Sequence, residues 1–431
     1  MYVRLSRWTL MGALVLVSVV ANRAATSTTT LAVAGRANAH VSLAADGAFV
    51  VAVWAASVPA GDTDIFSASS RDSGKTFSAP TRVNSTRGDA RVNGEQPPRV
   101  AVKPRPGQTP AIAVVWTTKG SAGTKLLSAT SLDGGRTFST SALVPGTDAA
   151  GNRGWEALGV GPGGRFVSVW LDHRKLAQPQ QTAIAGEHQH EGGAMPAKAA
   201  PTDGVAMAQL SQLYVAPLDG AVAPQAVTGG VCYCCKTAIA AGPANSLYLA
   251  WRHVYANNMR DIAFTVSRDG GKTFAAPVRV SEDRWQIEGC PDDGPAMVAD
   301  RQGVVHVIWP SVVTERGGPV KALFHASTRD GRTFSPRERI STRGQSNHPQ
   351  LAIDPAGALA ATWDESGSGS RVLAAAIGRP DATGRIRFVR STSSGEVGTY
   401  PFVVPVQGPG WLRAWTTGTP ASSEIRLAAL Q

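Results

Sequence analysis

This chain of 431 residues has no run of lysines and arginines and no stacking-aromatic pattern beside one, which excludes a nucleic-acid groove. Beyond its first twenty residues it has almost no apolar spacing of helical period, and no apolar run long enough to span a membrane. It has only four cysteines. None follows the first apolar segment as a lipoprotein would require, none stands in Cys-x-x-Cys-His as a c-type haem would require, and none has zinc-finger spacing. Charged residues make up just 17% and aromatics 6%. What the chain does have is glycine and proline, 46 and 28 of them, with 43% hydrophobic residues, the composition of a turn-rich all-β globule.

The first residues read as an export signal. Arg4 and Arg7 form a basic start, Trp8 to Val20 an apolar segment of thirteen residues, and Val19-Val20-Ala21 a small-residue cleavage site, giving a signal peptide over 1–21. The mature protein is expected to be periplasmic or secreted, with no transmembrane domain. Losing Arg4 and Arg7 lowers the formal charge from +11 to +9. A basic surface of that size suits an anionic glycan, a phosphate or a membrane surface.

Seven tryptophans divide the remainder. Trp54, Trp116, Trp170, Trp251, Trp309, Trp363 and Trp415 each close an alternating apolar stretch, at spacings of 62, 54, 81, 58, 54 and 52 residues. A fixed period of this kind marks a repeat architecture. Four of them are followed by one recurring turn, Ser70-Arg-Asp72-Ser-Gly74-Lys-Thr76-Phe77, Ser131 to Phe138, Ser267 to Phe274 and, one residue shorter, Thr328 to Phe334. Each unit holds four stretches with the period-two alternation of strands, separated by turn chemistry, and four strands per fifty-odd residues is a propeller blade.

The expected fold class is therefore all-β, a β-propeller of four-stranded antiparallel blades. Residues 28–431 form one domain with blades near 39–83, 97–145, 155–228, 235–281, 295–341, 348–391 and 400–431. Seven blades are expected, or six if one weak unit is an appendage. The last has only three strands, so the strand-like segment from Thr28 to Ala34 is expected to close the ring and leave no open edge. In the recurring turn the glycine takes positive φ and the Asp carboxylate caps turn amides, while the Phe tucks under the blade. The tryptophans are packing between blades.

These turns resemble the Asp-boxes, or bacterial neuraminidase repeats, of the sialidase-like propellers, and the resemblance covers essentially the whole mature chain. It implies that the face opposite the Asp turns carries the ligand site. Sorted by place in the repeat, that face receives His40, Glu95, Arg153, Glu156, Cys232, Cys234, Cys235, Lys236, Cys290, Asp292, Asp293, His348 and Tyr400 from loops entering first strands. Loops after the Trp add Asp172, His173, Arg174, Arg252, His253, Asp364 and Glu365. All four cysteines and six of the eight histidines fall on this rim; His306 and His325 alone sit within strands.

An insertion over 176–204, rich in Ala, Gln, Pro and Gly, reads as a flexible loop and carries His188, His190 and Met195. His-x-His with a nearby Met suits copper or zinc. The segment Cys232-Tyr-Cys234-Cys235 has two readings. Exported proteins with an even cysteine count form disulfides, here two, one joining this cluster to Cys290 in the next blade. Alternatively the thiols bind metal, with His40, His173, His253 and His348 as further donors. In an extended segment Cys232 and Cys234 would face one way and Cys235 the other, so the three converge only if the chain bends.

The sialidase resemblance further implies an arginine clamp, a Tyr nucleophile with a Glu partner, and an Asp acid. Arg153, Arg174 and Arg252 are the candidates for the clamp, with Tyr400 as nucleophile, Glu156 as its partner and Asp292 or Asp293 as acid. None lies in a matching local motif, and the Phe-Arg-Ile-Pro signature is missing, with Asn38-Ala-His40 near its place. The expected function is thus an exported propeller whose Cys/His-rich face binds a small ligand, a metal such as copper, or an anionic glycan. The alternatives are an exo-acting glycoside hydrolase and a disulfide-stapled interaction scaffold.

Overall fold

The computed structural model describes residues 28–431 apart from 60, 178–200, 288, 290, 367–368, 409 and 431. The expected signal peptide, His188, His190, Met195 and Cys290 therefore lie outside the described residues. Alternation in the sequence becomes seven four-stranded antiparallel sheets. Their first strands are Ala37–Asp46, Arg99–Lys103, Arg153–Val160, Ala238–Ala241, Ala296–Ala299, Gln345–Ile353 and Thr399–Val406. The ring closes as the three-stranded last unit required: Thr29–Leu31 pairs antiparallel with Ser422–Leu430, with Thr30 opposite Arg426. Seven blades, not six, make up the ring.

Each second strand carries its Trp into the seam between neighbouring blades. All seven are at most 2% exposed. Trp54, for example, shares a core with Val404, Leu412 and Leu427 of the last blade. The Asp turns are built by the capping chemistry expected of them. Asp72 Oδ1 accepts the Thr76 amide at 2.9 Å, its Oδ2 accepts the Thr76 hydroxyl at 2.6 Å, and Ser70 Oγ accepts the Gly74 amide at 2.9 Å. Gly74 has φ of 84°, where a side chain would be strained. Phe77, Phe138, Phe274 and Phe334 each pack half-buried under a blade.

The described end of the insertion departs from the expected loop. Pro201–Leu210 is an α-helix, filled by Val205, Ala206, Met207, Ala208, Gln209 and Leu210. Its Ala208 and Val205 pack on the Cys232–Cys235 segment with Val254 and Trp155. The helix thus roofs the cysteines.

Candidate functional site

Residues that follow a Trp by two positions serve the scaffold in three blades. In a strand such a residue lies on the Trp's own face, and it accepts the buried indole N–H: Asp172 Oδ2 from Trp170 at 3.0 Å, His253 Nδ1 from Trp251 at 3.3 Å, and Glu365 Oε1 from Trp363 at 2.9 Å. Burial without a partner is costly for such a donor. Asn38 and Asp283 do the same for Trp54 and Trp309. Much of the polar rim is explained by this need alone.

The arginines nominated as a clamp are spent on structure. Arg153, fully buried, gives Nε to Asp172 at 3.2 Å and Nη1 to the carbonyls of Ala149, Ala150 and Gly151. Arg174 grips the same Asp172 and lies over the Tyr214 ring. Arg252 donates to the carbonyls of Asp293, Arg260 and Pro310. Arg153 and Arg174 thus share the Asp172 carboxylate, whereas Arg252 is bonded to three backbone carbonyls. Glu156 is likewise not beside Tyr400; its neighbours are Arg99 and Thr117, with the Thr117 hydroxyl at 3.4 Å.

Three of the residues that meet at the centre, His40, His348 and Tyr400, come from first-strand bulges. His40, Trp155, His348 and Tyr400 have φ of 62°, 53°, 52° and 51°, each where the pairing of its first strand shifts register. Non-glycine residues rarely hold this conformation, and such strain collects at functional sites. His348 sits between two carboxylates, Nδ1 at 2.7 Å from Asp364 and Nε2 at 2.8 Å from Glu95. Its ring lies 4.1 Å from that of Tyr400, which meets His40 edge-on. Asp293 accepts the His348 amide and pairs with Lys321 at 3.1 Å. Lys236 joins them and donates to the Pro349 carbonyl.

The electrostatics follow from this crowding. Burial works against a charged His348, but Glu95 and Asp364 overrule it and raise its pKa to about 9. Burial and then Glu95 push the Tyr400 phenol well above its ordinary value. Lys236 falls to about 8 through burial, and His40 to about 4 through burial and the charge of His348. The hollow lined by Glu95, Arg99, Lys236, His348 and Tyr400 measures about 20 Å³, room for one water molecule. Gly94 abuts the Tyr400 ring where a methyl would overlap it. Gly94→Ala is accordingly expected to cost about 1–3 kcal/mol, read as a lower thermal midpoint; unchanged stability would mean that the ring is not held in place.

The second cluster is the cysteine segment. Residues 233–235 turn, so the sulfurs converge rather than alternate. Among the described residues, Cys232, Cys234 and Cys235 form the one group whose donor atoms could hold a metal ion, all within 4.8 Å of one another. Cys232 Sγ is 3.4 Å from Cys235 and 3.8 Å from Cys234. Cys232 and Cys235 carry free thiols, so the expected pairing of all four cysteines in two disulfides does not hold. Cys234 is disulfide-bonded. All three are about 1–2% exposed. Arg260 Nη1 donates to Cys232 at 3.2 Å. Burial opposes a thiolate at Cys232, but the Cys235 hydrogen bond and the charges of Arg260 and Arg252 bring its pKa down to about 6. Burial and Cys232 raise that of Cys235. Asp292, with φ of 46°, is lifted to about 7 by burial, Glu95 and Cys232, which sets it between the two clusters.

Among the described residues no histidine nitrogen joins the sulfur group, although His173 hydrogen-bonds the Tyr233 backbone and His253 bridges to Val231 beside it. His253 is committed to Trp251 and packs on Tyr255, His173 packs on Trp155, and His40 and His348 belong to the axial group. Among the described residues, the expected metal donors that converge are those of the cysteine turn, while His188, His190 and Cys290 lie outside them. The pairing of Glu95 with His348 and Tyr400 had no sequence signal, since it joins three blades.

No protein-family model matches this chain, and no curated protein matches it. Among solved structures, a PL25 ulvan lyase bound to -[GlcA(1-4)Rha3S]- aligns over 93% of this chain and 96% of its own, at 10% identity and a TM-score of 0.54. The intramolecular trans-sialidase from Ruminococcus gnavus aligns over 94% and 97%, at 10% identity and a TM-score of 0.45. A protein of unknown function from Dyadobacter fermentans aligns over 80% and 94%, at 14% identity and a TM-score of 0.47. At such identities only the fold is shared. The lyase alignment, the seven four-stranded blades and the four Asp turns together give this chain the fold of the sialidase-like β-propellers.

Proposed function

We propose that this protein is an exported propeller that binds a soft metal ion, Cu(I), at the thiols of Cys232 and Cys235. The observation that carries this reading is the buried convergence of three sulfurs beside the Arg260 guanidinium. Thiolates are the donors that soft ions prefer, and a bound dithiolate would leave negative charge that Arg260 and Arg252 offset. Copper is favoured over zinc by the donor count. A structural zinc site closes with four ligands, whereas this turn offers two free thiols, with Cys234 adding a third if its disulfide is reduced. Export rests on the basic and apolar start of the sequence, and the N-terminus of the protein recovered from the periplasm or medium tests it.

The binding test is an anaerobic titration of metal-free protein with Cu(I) against a chromophoric chelator. Near-stoichiometric Cu(I) uptake that outcompetes the chelator is expected. Cys232→Ser should weaken it by more than about a hundredfold, beyond the usual cost of altering a metal's outer shell, with unchanged circular dichroism. Uptake that is absent, or equal in a Cys232→Ser/Cys235→Ser double variant, overturns the assignment.

A second reading places glycan chemistry at the axial group. Tyr400 and His348 supply proton donors there, Lys236 and Arg99 positive charge, and the lyase of like fold was solved with a glucuronate-containing sugar bound. A hollow of about 20 Å³ cannot seat a sugar ring, so this reading requires the rim to open and stands behind the first. Turnover of a uronate or sialoside substrate that vanishes in Tyr400→Phe would reverse the order.

A further inference from the structure

Cys232 and Cys235 stand in Cys-x-x-Cys spacing, a pattern that metal coordination does not exhaust. Both are free thiols, and the turn at 233–235 brings their sulfurs to 3.4 Å. A disulfide bond is about 2.05 Å long, so closing it needs an approach of about 1.4 Å, within the reach of small side-chain rotations. Of the two, Cys232 has the charged partner: Arg260 Nη1 donates to it at 3.2 Å, and Arg260 is itself held by Asn258 Oδ1. The helix Pro201–Leu210 covers the pair through Ala208, leaving each sulfur-bearing residue about 1% exposed. That roof excludes a protein disulfide as reaction partner and admits only a small oxidant.

We infer that Cys232 and Cys235 form a two-electron redox couple that a small hydroperoxide oxidises to an intramolecular disulfide. In the first step the Cys232 sulfur attacks the distal oxygen of ROOH. The O–O bond breaks, Cys232 becomes a sulfenic acid, and ROH leaves with the thiol proton. In the second step the Cys235 sulfur attacks the Cys232 sulfur, the S–O bond breaks, and water leaves with the Cys235 proton. Two thiols are oxidised and one peroxide is reduced, with no other reactant; a small dithiol such as dithiothreitol returns the pair to its reduced state. Cys234, at 3.8 Å and already disulfide-bonded, is the competing target for Cys232. Attack there would move a bond without changing the number of free thiols.

This couple stands on the thiol geometry and does not need the metal reading; the two states would exclude one another, since a disulfide removes both donors. The test uses the full-length protein freed of metal. One equivalent of hydrogen peroxide should abolish both free thiols, as counted after denaturation, and fragmentation of the cysteine peptide should place the new bond between Cys232 and Cys235. Dithiothreitol should restore the count. In Cys235→Ser the reaction should halt at a Cys232 sulfenic acid, trapped as its dimedone adduct. Thiols that survive peroxide, a sulfinic acid formed without a bond, or a bond shifted to Cys234 with the thiol count unchanged would each overturn the couple. Because no metal is present, none of these outcomes bears on Cu(I) uptake, and a failed Cu(I) titration leaves the couple untouched.

Discussion

Asp172→Ala is expected to lower the free energy of unfolding by about 3–5 kcal/mol, the cost of removing one partner from a buried ion pair. Asp172 is fully buried and holds three neighbours at once. Its Oδ2 accepts Arg153 Nε at 3.2 Å, Trp170 Nε1 at 3.0 Å and Arg174 Nη2 at 2.7 Å, and its Oδ1 accepts the Arg174 amide and Nε. Truncation leaves the Arg153 charge inside the ring with only the carbonyls of Ala149, Ala150 and Gly151 to face. It also strands the indole N–H. Those carbonyls soften the loss toward the lower end of the range. Asp172→Asn keeps an acceptor of the same shape and should cost less, and Arg174→Ala less again, because that side chain is 26% exposed. Urea unfolding followed by tryptophan fluorescence checks the order; a loss below about 1 kcal/mol for Asp172→Ala would mean that Arg153 finds water or another anion.

The same residue shows why sequence position alone misassigned part of the rim. A carboxylate or imidazole placed two residues past a tryptophan looks like site chemistry when only its blade position is known. In three blades it is instead the acceptor that a buried indole requires. The two roles use the same residue types, and only the indole's burial separates them. The fold was far more legible. Strand alternation, the four Asp turns and the short last blade each follow from local rules of turn and edge chemistry, and the closing strand at Thr29–Leu31 followed from the missing outer strand.

The site was legible in proportion to how local it is. Cys232 to Cys235 could be read as a cluster, and the bend that unites the sulfurs was named as the condition, because all of it lies within one turn. The axial group draws Glu95, His348 and Tyr400 from three blades, and no local pattern announces it. The helix Pro201–Leu210 was hidden by the low-complexity sequence before it, although Ala206, Met207, Ala208 and Gln209 are a helix-forming run.

Stability should fall steeply on acidification from pH 6.5, while between pH 6.5 and 8 it should stay nearly flat. Burial lowers the pKa of His40, His173, His253 and His306 to about 4 and of His325 to about 3. His306 and His325 are hydrogen-bonded to each other at 3.2 Å, so both are held inside the fifth blade. A group whose folded pKa is lowered gives stability that is present above its unfolded value, here 6.5, and is lost as pH falls toward 4. Five protons enter the unfolded state first. Glu156 and Asp292, both raised to about 7, work the other way by taking protons in the folded state. The net of about three protons gives a slope of about 4 kcal/mol per pH unit near pH 5.5, at about 1.4 per proton. Above 6.5 the last histidine protons of the unfolded chain and the Glu156 and Asp292 protons of the folded one fade together and offset each other, and two further single-proton terms oppose one another. His348, raised to about 9, gives stability that is full below 6.5 and lost as pH rises. Cys232, lowered to about 6, gives stability that grows over the same interval. Cys232→Ser should therefore uncover the His348 limb, a decline of at most about 1 kcal/mol per pH unit between pH 7 and 8, which Lys236, lowered to about 8, opposes and then reverses. Thermal midpoints of both proteins across pH 5 to 9 make the comparison. A variant as flat as the parent would show that Glu95 and Asp364 do not hold His348 charged, and a parent that is flat on the acid side would show that water reaches the buried histidines.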